Sequence, residues 1–377
     1  MIKVGLVGLG KMGLSHYAIF NAHPDVEVVG LCDSSGFLLD ILHKYTGVAT
    51  FSRADELIDS AKPESLVIST PTGSHAVLVR DALSRNIDVF CEKPLTLTAE
   101  ESAELSDLAS ERGLVTQVGY HNRFLATFGE VKRLLDAGAI GTVTHAMAEA
   151  YGPVVLKPAG STWRKDRNQG GGALYDYAAH AINLLTWYMG EPGRVAGTSL
   201  GQVFSRQTED QVASTLFFES GATAQLSVNW SDESARKMST RVTIWGTNGR
   251  LYVDRQECHA YLRNPVAGLD EYQPGWNVRY TTDLTPPVWY YLRGEEYSSQ
   301  VDGFVKAVMS RDTSGPNSFG AAVSTDRVIA MMSADARGER VAAAPERVRR
   351  RRRWVLRARS FQGRALRPTS PSRSLGQ

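Results

Sequence analysis

Ile2-Lys3-Val4-Gly5-Leu6-Val7-Gly8-Leu9-Gly10-Lys11-Met12-Gly13 decides how the first third of the chain is read. An apolar β-type run feeds directly into G-x-G-x-x-G, and a helical pattern follows. In that setting the three glycines stand where a tight turn, a close pyrophosphate and close helix–strand packing each exclude a side chain. Backbone N–H groups at the helix start, and the positive end of its dipole, then face phosphate oxygens. Gly8, Gly10 and Gly13, with Lys11 and Met12 between them, form the expected dinucleotide cradle. Asp33 stands 20 residues beyond Gly13, at the end of the second β-type run. There its carboxylate can accept hydrogen bonds from both ribose hydroxyls of an adenosine, and it would repel a 2′-phosphate. Ser34-Ser35-Gly36 supplies no cation to offset that repulsion. NAD is therefore expected in preference to NADP.

Outward from this stretch, β-type runs at 2–7, 26–32, 65–69, 88–91 and 115–118 alternate with helical patterns at 37–45, 75–85 and 99–112. Thr98-Ala99-Glu100-Glu101 has capping-box spacing and fixes the start of the last of these helices. Strict alternation of strand and helix implies βαβ crossovers and a parallel sheet covered on both faces. After Asn122 the texture changes. A helical stretch at 127–137 leads to longer alternating runs at 142–150, 195–200, 211–218, 222–230 and 239–245, with a helix at 172–189 among them. Gly246-Thr247-Asn248-Gly249 then turns into 250–253, a hairpin signal. This succession predicts an antiparallel sheet with helices on one face, closed by helices at 296–309 and 320–334.

The chain has 377 residues, 42% of them hydrophobic, and a formal net charge of +2, which is ordinary for a globular protein of two domains. Cys32, Cys91 and Cys258 are far apart and odd in number, as expected of reduced thiols and not of a disulfide scaffold or zinc ribbon. The N-terminus shows no signal-peptide pattern and no segment is apolar for long enough to span a membrane, so a cytoplasmic protein is expected. From Arg337 to the end there are 13 Arg, no Lys and 2 Glu. The remainder is acidic, which argues against a nucleic-acid enzyme. The tail reads as an incidental, disordered extension in preference to a basic interaction arm. The expected layout is a doubly wound dinucleotide-binding domain at 1–121, an α+β substrate domain at 122–342 and the Arg-rich tail at 343–377.

Two constellations carry chemistry. Glu92-Lys93-Pro94 follows the run 88–91, at the carboxyl edge of the sheet where doubly wound folds bind ligands. A Lys there either polarises a substrate oxygen or is simply solvated. Asp176 and His180 are spaced i, i+4, which on a regular helix sets carboxylate and imidazole on one face. That pair suits proton transfer, and equally a structural role. No third ligand accompanies it, so no metal is expected.

The succession G-x-G-x-x-G, Thr70-Pro71-Thr72-Gly73-Ser74-His75, Glu92-Lys93-Pro94, Gly119-Tyr120-His121-Asn122-Arg123-Phe124 and Gly170-Gly171-Gly172-Ala173-Leu174-Tyr175-Asp176 with His180 resembles the glucose–fructose oxidoreductase / inositol dehydrogenase / rhizopine-catabolism family. The resemblance covers residues 1–342 or so. It implies a Rossmann domain followed by an α+β domain built on a large open sheet, and hydride transfer at a sugar or cyclitol carbon. By resemblance, Lys93, Asp176 and His180 are the catalytic set. Gly8, Gly10, Gly13, Asp33, Thr70, Pro71, His75 and Glu92 meet the dinucleotide, and Arg123, Trp163 and Arg164 line the substrate cleft. Thr72 stands where Asn is frequent, and Asn183 where an acidic residue often follows the His; the second departure is expected to bear on substrate choice. The resulting expectation is an NAD-dependent oxidoreductase acting on a sugar, cyclitol or nucleotide-sugar, homo-oligomeric through its second-domain sheet. Rival expectations are NAD-assisted glycoside cleavage and a non-enzymatic sugar or dinucleotide sensor.

Overall fold

The computed structural model describes residues 1–156, 163–234 and 237–339. The tail expected to be disordered lies outside these residues. Six parallel strands form the first sheet: β1 (Ile2–Val7), β2 (Val26–Cys32), β3 (Thr50–Phe51), β4 (Ser65–Ile68), β5 (Asp88–Cys91) and β6 (Thr116–Val118). Their order is β3-β2-β1-β4-β5-β6. The sheet reverses direction between β1 and β4, so the loops after those two strands open the crevice where such folds take ligands. β4 and β5 are buried along their whole length, as expected for strands covered on both faces. The helix Ala99–Glu111 begins at the anticipated cap, with Thr98 Oγ1 accepting from the Glu101 N–H at 3.3 Å.

The second sheet has eight strands: β7 (Val143–Tyr151), β8 (Arg194–Gly201), β9 (Gln211–Phe217), β10 (Thr223–Asn229), β11 (Ser239–Gly246), β12 (Gly249–Val253), β13 (Glu257–Leu262) and β14 (Gly275–Tyr280). The order is β14-β13-β12-β11-β7-β10-β9-β8. Every pair is antiparallel except β7 with β10. Along β7, Ala146, Ala148 and Ala150 are buried while the intervening side chains are half-buried. Three alanines on one face let the helix Ala179–Met189 lie close against the strand. The opposite face carries His145 stacked on Trp245 and Tyr261 beside Trp276. None of the described helices is long and apolar enough to cross a membrane.

After β14 the chain returns to the first sheet. The helix Glu295–Ser310 packs Phe304 against both Phe20 and Phe90, with ring centroids 6.3 and 5.7 Å away, and Val301 and Val305 join the same core. The outer edge of β6 is closed by this returning segment: the Val118 N–H donates to Asn317 O at 2.8 Å and Gln117 Nε2 to Gln300 O at 2.9 Å. An edge strand with satisfied groups is thereby shielded from pairing elsewhere.

Candidate active site

The glycine-rich turn is built as its sequence demands. Gly8 sits at φ +88°, where a Cβ would come within 2.8 Å of the Ser69–Thr70 backbone, and a Cβ on Gly13 would stand 1.8 Å from Gly8 O. Gly10, in contrast, has nothing within 4 Å of its Cβ position. It caps the helix Lys11–Asn21 without any side chain bonded to the first-turn amides. The space and the donors suit a pyrophosphate. Asp33 is tied to this turn: Oδ2 accepts from the Leu9 N–H at 2.6 Å and Oδ1 from the Ser35 N–H at 2.9 Å. Its carboxylate is thus held beside the turn. Lys11 is exposed, and Met12 packs partly against the core beneath.

Thr70 and Pro71 follow β4, and Thr70 abuts Gly8. His75 is buried behind them, with Nε2 2.9 Å from Thr70 O and Nδ1 3.0 Å from Pro94 O. Its ring therefore sits between the Thr70 turn and the Glu92–Pro94 turn, and as a neutral imidazole it donates to one of these carbonyls. Glu92 is similarly committed. Its Oε1 lies 2.7 Å from His16 Nε2, and its carboxylate fills the space where a Cβ on Gly119 would stand. Burial pushes the Glu92 carboxyl up, but His16, Lys93 and His121 outweigh it and hold the group below its ordinary range.

Lys93 meets Asp176 as a buried ion pair. Nζ is 2.7 Å from Oδ1 and 3.1 Å from the Asp176 carbonyl oxygen. The other carboxylate oxygen accepts from Arg164 Nε at 3.0 Å, and the Arg164 guanidinium lies over Trp163, 4.7 Å from the ring centroid. Burial alone would raise the Asp176 carboxyl, yet Lys93 and Arg164 hold it below the usual carboxylate range. His180 is close to Lys93 but does not pair with Asp176. Its Nδ1 is sealed from water without a partner, and no hydrogen bond reaches the ring from any described residue. Burial first, then Lys93 and His121, keep the imidazole well below its ordinary pKa and so neutral.

The i, i+4 spacing fails to bring carboxylate and imidazole together because Leu174–Ala178 is a π turn and the α-helix begins only at Ala179. A turn bonded i→i+5 rotates residue i+4 off the face that a regular helix would give it. That turn starts against Glu209: Gly172, at φ +112°, leaves no room for a Cβ, which would stand 2.0 Å from Oε1, and the Leu174 N–H donates to the same oxygen at 3.1 Å. Glu209 lies in a loop with no motif spacing to announce it.

Arg123 is a second correction. Expected in the cleft, it is buried and not brought to the Lys93–Asp176 pair. Nε donates to Asn183 Oδ1 at 2.8 Å, Nη2 to Asn183 O at 2.9 Å and Nη1 to Pro316 O, while the guanidinium lies over Trp187. With no carboxylate alongside, burial holds it down to about 10. Asn183 likewise serves this buried cation, and its Nδ2 donates to Thr325 Oγ1, so its side chain is committed to packing. Reasoning from sequence missed His121. Its ring stacks on Tyr297 with centroids 4.8 Å apart and meets His180 at 4.9 Å. It lies between two quoted motif residues, and no spacing rule singles it out. Among the described residues no group of three His, Cys, Asp or Glu side chains is placed to hold a metal.

Comparison with known proteins fits this geometry. Residues 2–120 match a family model described as "Oxidoreductase family, NAD-binding Rossmann fold", and residues 128–252 match the GFO/IDH/MocA C-terminal domain. Between them they cover more than half of the chain. It belongs to the GFO/IDH/MocA family. Among curated GFO/IDH/MocA relatives, the rhizopine catabolism protein MocA of Rhizobium meliloti is 28% identical over 190 residues, 50% of this chain and 57% of that protein. The scyllo-inositol 2-dehydrogenase (NAD(+)) of Bacillus subtilis (strain 168) is 26% identical over 259 residues, 67% of this chain and 73% of its own. The chain spans little more than half the length of MocA and of the Bacillus subtilis glucose-6-phosphate 3-dehydrogenase, 57% and 54% respectively. A levoglucosan dehydrogenase solved with NADH and levoglucosan has a TM-score of 0.80 over 92% of this chain and 100% of that one, at 21% identity. At that identity the likeness is one of fold.

Proposed function

We propose that this GFO/IDH/MocA protein is an NAD-dependent dehydrogenase or reductase that transfers hydride between the nicotinamide and a secondary alcohol or ketone carbon of a sugar, cyclitol or nucleotide-sugar. The observation that carries the reading is the buried Lys93–Asp176 pair with the neutral, unbonded ring of His180 beside it, at the carboxyl edge of the first sheet. Residues 1–121 would hold the dinucleotide and 122–342 the substrate. When bound, the dinucleotide supplies the redox chemistry. The chain supplies position and proton handling. Lys93 has three N–H donors. Two are directed at Asp176 oxygens, leaving one for a substrate oxygen as negative charge gathers there. His180, neutral and with Nδ1 sealed, takes the hydroxyl proton at Nε2 during oxidation. Asp176 orients Lys93 and leaves the imidazole unpaired. A homo-oligomer formed through the second sheet fits the aromatic outer face of that sheet, where Trp276 is 59% exposed.

Reduction of NAD at 340 nm across free sugars, inositols, nucleotide-sugars and amino-sugars tests the reading. Steady formation of NADH with one class is expected. Glycoside cleavage without accumulated NADH would replace it with the redox-assisted hydrolase, and binding without turnover with a sensor.

Two further outcomes follow. Asp33→Ala should lower kcat/KM for NAD by at least about tenfold, since even one hydrogen bond to a charged group contributes ~1.5–3 kcal/mol. It should also raise the NADP:NAD ratio by removing repulsion of the 2′-phosphate; an unchanged ratio would refute this. For alcohol oxidation, His180 must be unprotonated. Because its pKa is lowered, the acid limb of the kcat/KM profile should fall below the ordinary imidazole value of about 6.5. A limb at or above that value would remove His180 as the base.

A further inference from the structure

We propose that His121 reads a second hydroxyl of the substrate, on the carbon next to the one oxidised, and so makes the enzyme selective for vicinal polyols over isolated secondary alcohols. The inference rests on the dehydrogenase reading above. His121 stands in the short 3₁₀ turn that leaves β6. Its approach is fixed by the Gly119 N–H, which donates to Cys91 O at 2.8 Å, and by the seating of Gly119 on the Glu92 carboxylate. One face of the ring is covered by Tyr297 at an interplanar angle of 20°, and the ring meets His180 at 63°. The two imidazoles thus touch without bonding to each other. Neither His121 nitrogen has a hydrogen-bond partner among the described residues. Neither is among the sealed polar atoms, which include His180 Nδ1. The ring is half-buried, with one face packed on Tyr297 and neither nitrogen sealed from water.

A polar ring so placed suits one kind of ligand. Burial first, with Arg255, Lys93 and Arg293 nearby, outweighs Glu92 and holds His121 down to about 3, which favours the neutral imidazole near pH 7. A neutral imidazole offers one donor and one acceptor. That is the complement of a hydroxyl group, which also donates once and accepts. A carboxylate or phosphate would use only the donor, and would leave the other nitrogen lone pair facing an anion. Lys93 and His180 serve the reacting oxygen, and His121, one ring away, is placed for an oxygen on the adjoining carbon. Hydrogen-bonding sites discriminate strongly against an analogue lacking the matching group, because their own polar atoms then go unpaired.

The test is a cycle of two changes, one in the protein and one in the substrate. His121→Phe keeps a ring against Tyr297 and His180 and removes both nitrogens. The fastest polyol from the panel is compared with its derivative deoxygenated at the carbon adjoining the reacting one. In the wild type, kcat/KM should favour the polyol. In His121→Phe that preference should shrink by about 10-fold or more, the equivalent of ~1.4 kcal/mol of lost coupling. His121→Gln, which restores a donor and an acceptor, should regain part of it. NADH affinity measured by fluorescence titration should not follow this pattern. If both substrates lose equally in His121→Phe, the ring only packs and the proposal fails. If the loss appears in the NADH dissociation constant instead, the ring serves the cofactor and the proposal fails. Absence of wild-type turnover with every polyol would overturn the dehydrogenase reading itself and this inference with it, a result distinct from an unchanged preference ratio.

Discussion

Lys93→Ala and His180→Ala should each lower kcat on the preferred substrate by about 10²–10⁴-fold, with the NADH dissociation constant changed only a few-fold. On the proposed function both side chains act where charge changes only as hydride moves, so their contribution is expected in the transition state and not in binding. On the same reading, cofactor affinity is expected to reside elsewhere, in the open amides around Gly10 and in Asp33. Lys93 and His180 serve one oxygen, and the charge of Lys93 already lowers the His180 pKa. The double variant should therefore lose less than the product of the single losses. Stopped-flow measurement of NADH formation, beside fluorescence titration of NADH, separates the two quantities. If His180→Ala retains most of its kcat, the proton is handled by another group.

The second large effect is on stability. Asp176→Ala should cost about 3–5 kcal/mol of unfolding free energy, because it strands the Lys93 ammonium in the interior. Side-chain exposure is 11% for Lys93 and 6% for Asp176, whereas Arg164 is 39% exposed and can turn its charge to water. The penalty therefore comes mainly from Lys93. Replacing both partners, Lys93→Met with Asp176→Leu, should recover most of the loss, since a buried pair exchanged for apolar residues is often close to neutral. Urea midpoints of the three proteins decide the matter. An Asp176→Ala protein as stable as the wild type would mean that the pair contributes nothing to folding.

The first sheet was legible in sequence because its strands are apolar runs punctuated by glycine, and their observed bounds agree to within a residue or so. The capping box at Thr98 and the hairpin at Gly246–Gly249 were readable for the same reason: each is a local rule applied to adjacent residues. β3 has two residues, β13 alternates but sets only Cys258, Ala260 and Leu262 on its buried face, and β14 mixes polar and aromatic side chains without a clean alternation, so none of the three was anticipated. The parallel pairing of β7 with β10 depends on the order in which strands are laid down, and no local pattern encodes it.

The site divides along the same line. Lys93 and Asp176 come from motifs, and the structure brings them together. The loss of the Asp176–His180 contact depends on a π turn packed against Glu209, more than 30 residues farther along the chain. Arg123 turns inward because the Asn183 amide and the Pro316 carbonyl receive it there, two partners that only tertiary structure assembles. His121 owes its place to Tyr297, which arrives on the returning helix.

That returning helix alters what counts as a separable part of this protein. A fragment ending near residue 121 would contain every dinucleotide motif, yet it would bare Phe20 and Phe90 and leave the outer edge of β6 unpaired. An apolar patch beside an open strand edge is a site for self-association. The fragment would be completed by residues 295–318 supplied as a second chain, a non-covalent complementation in which the missing helix restores both the aromatic core and the closed edge.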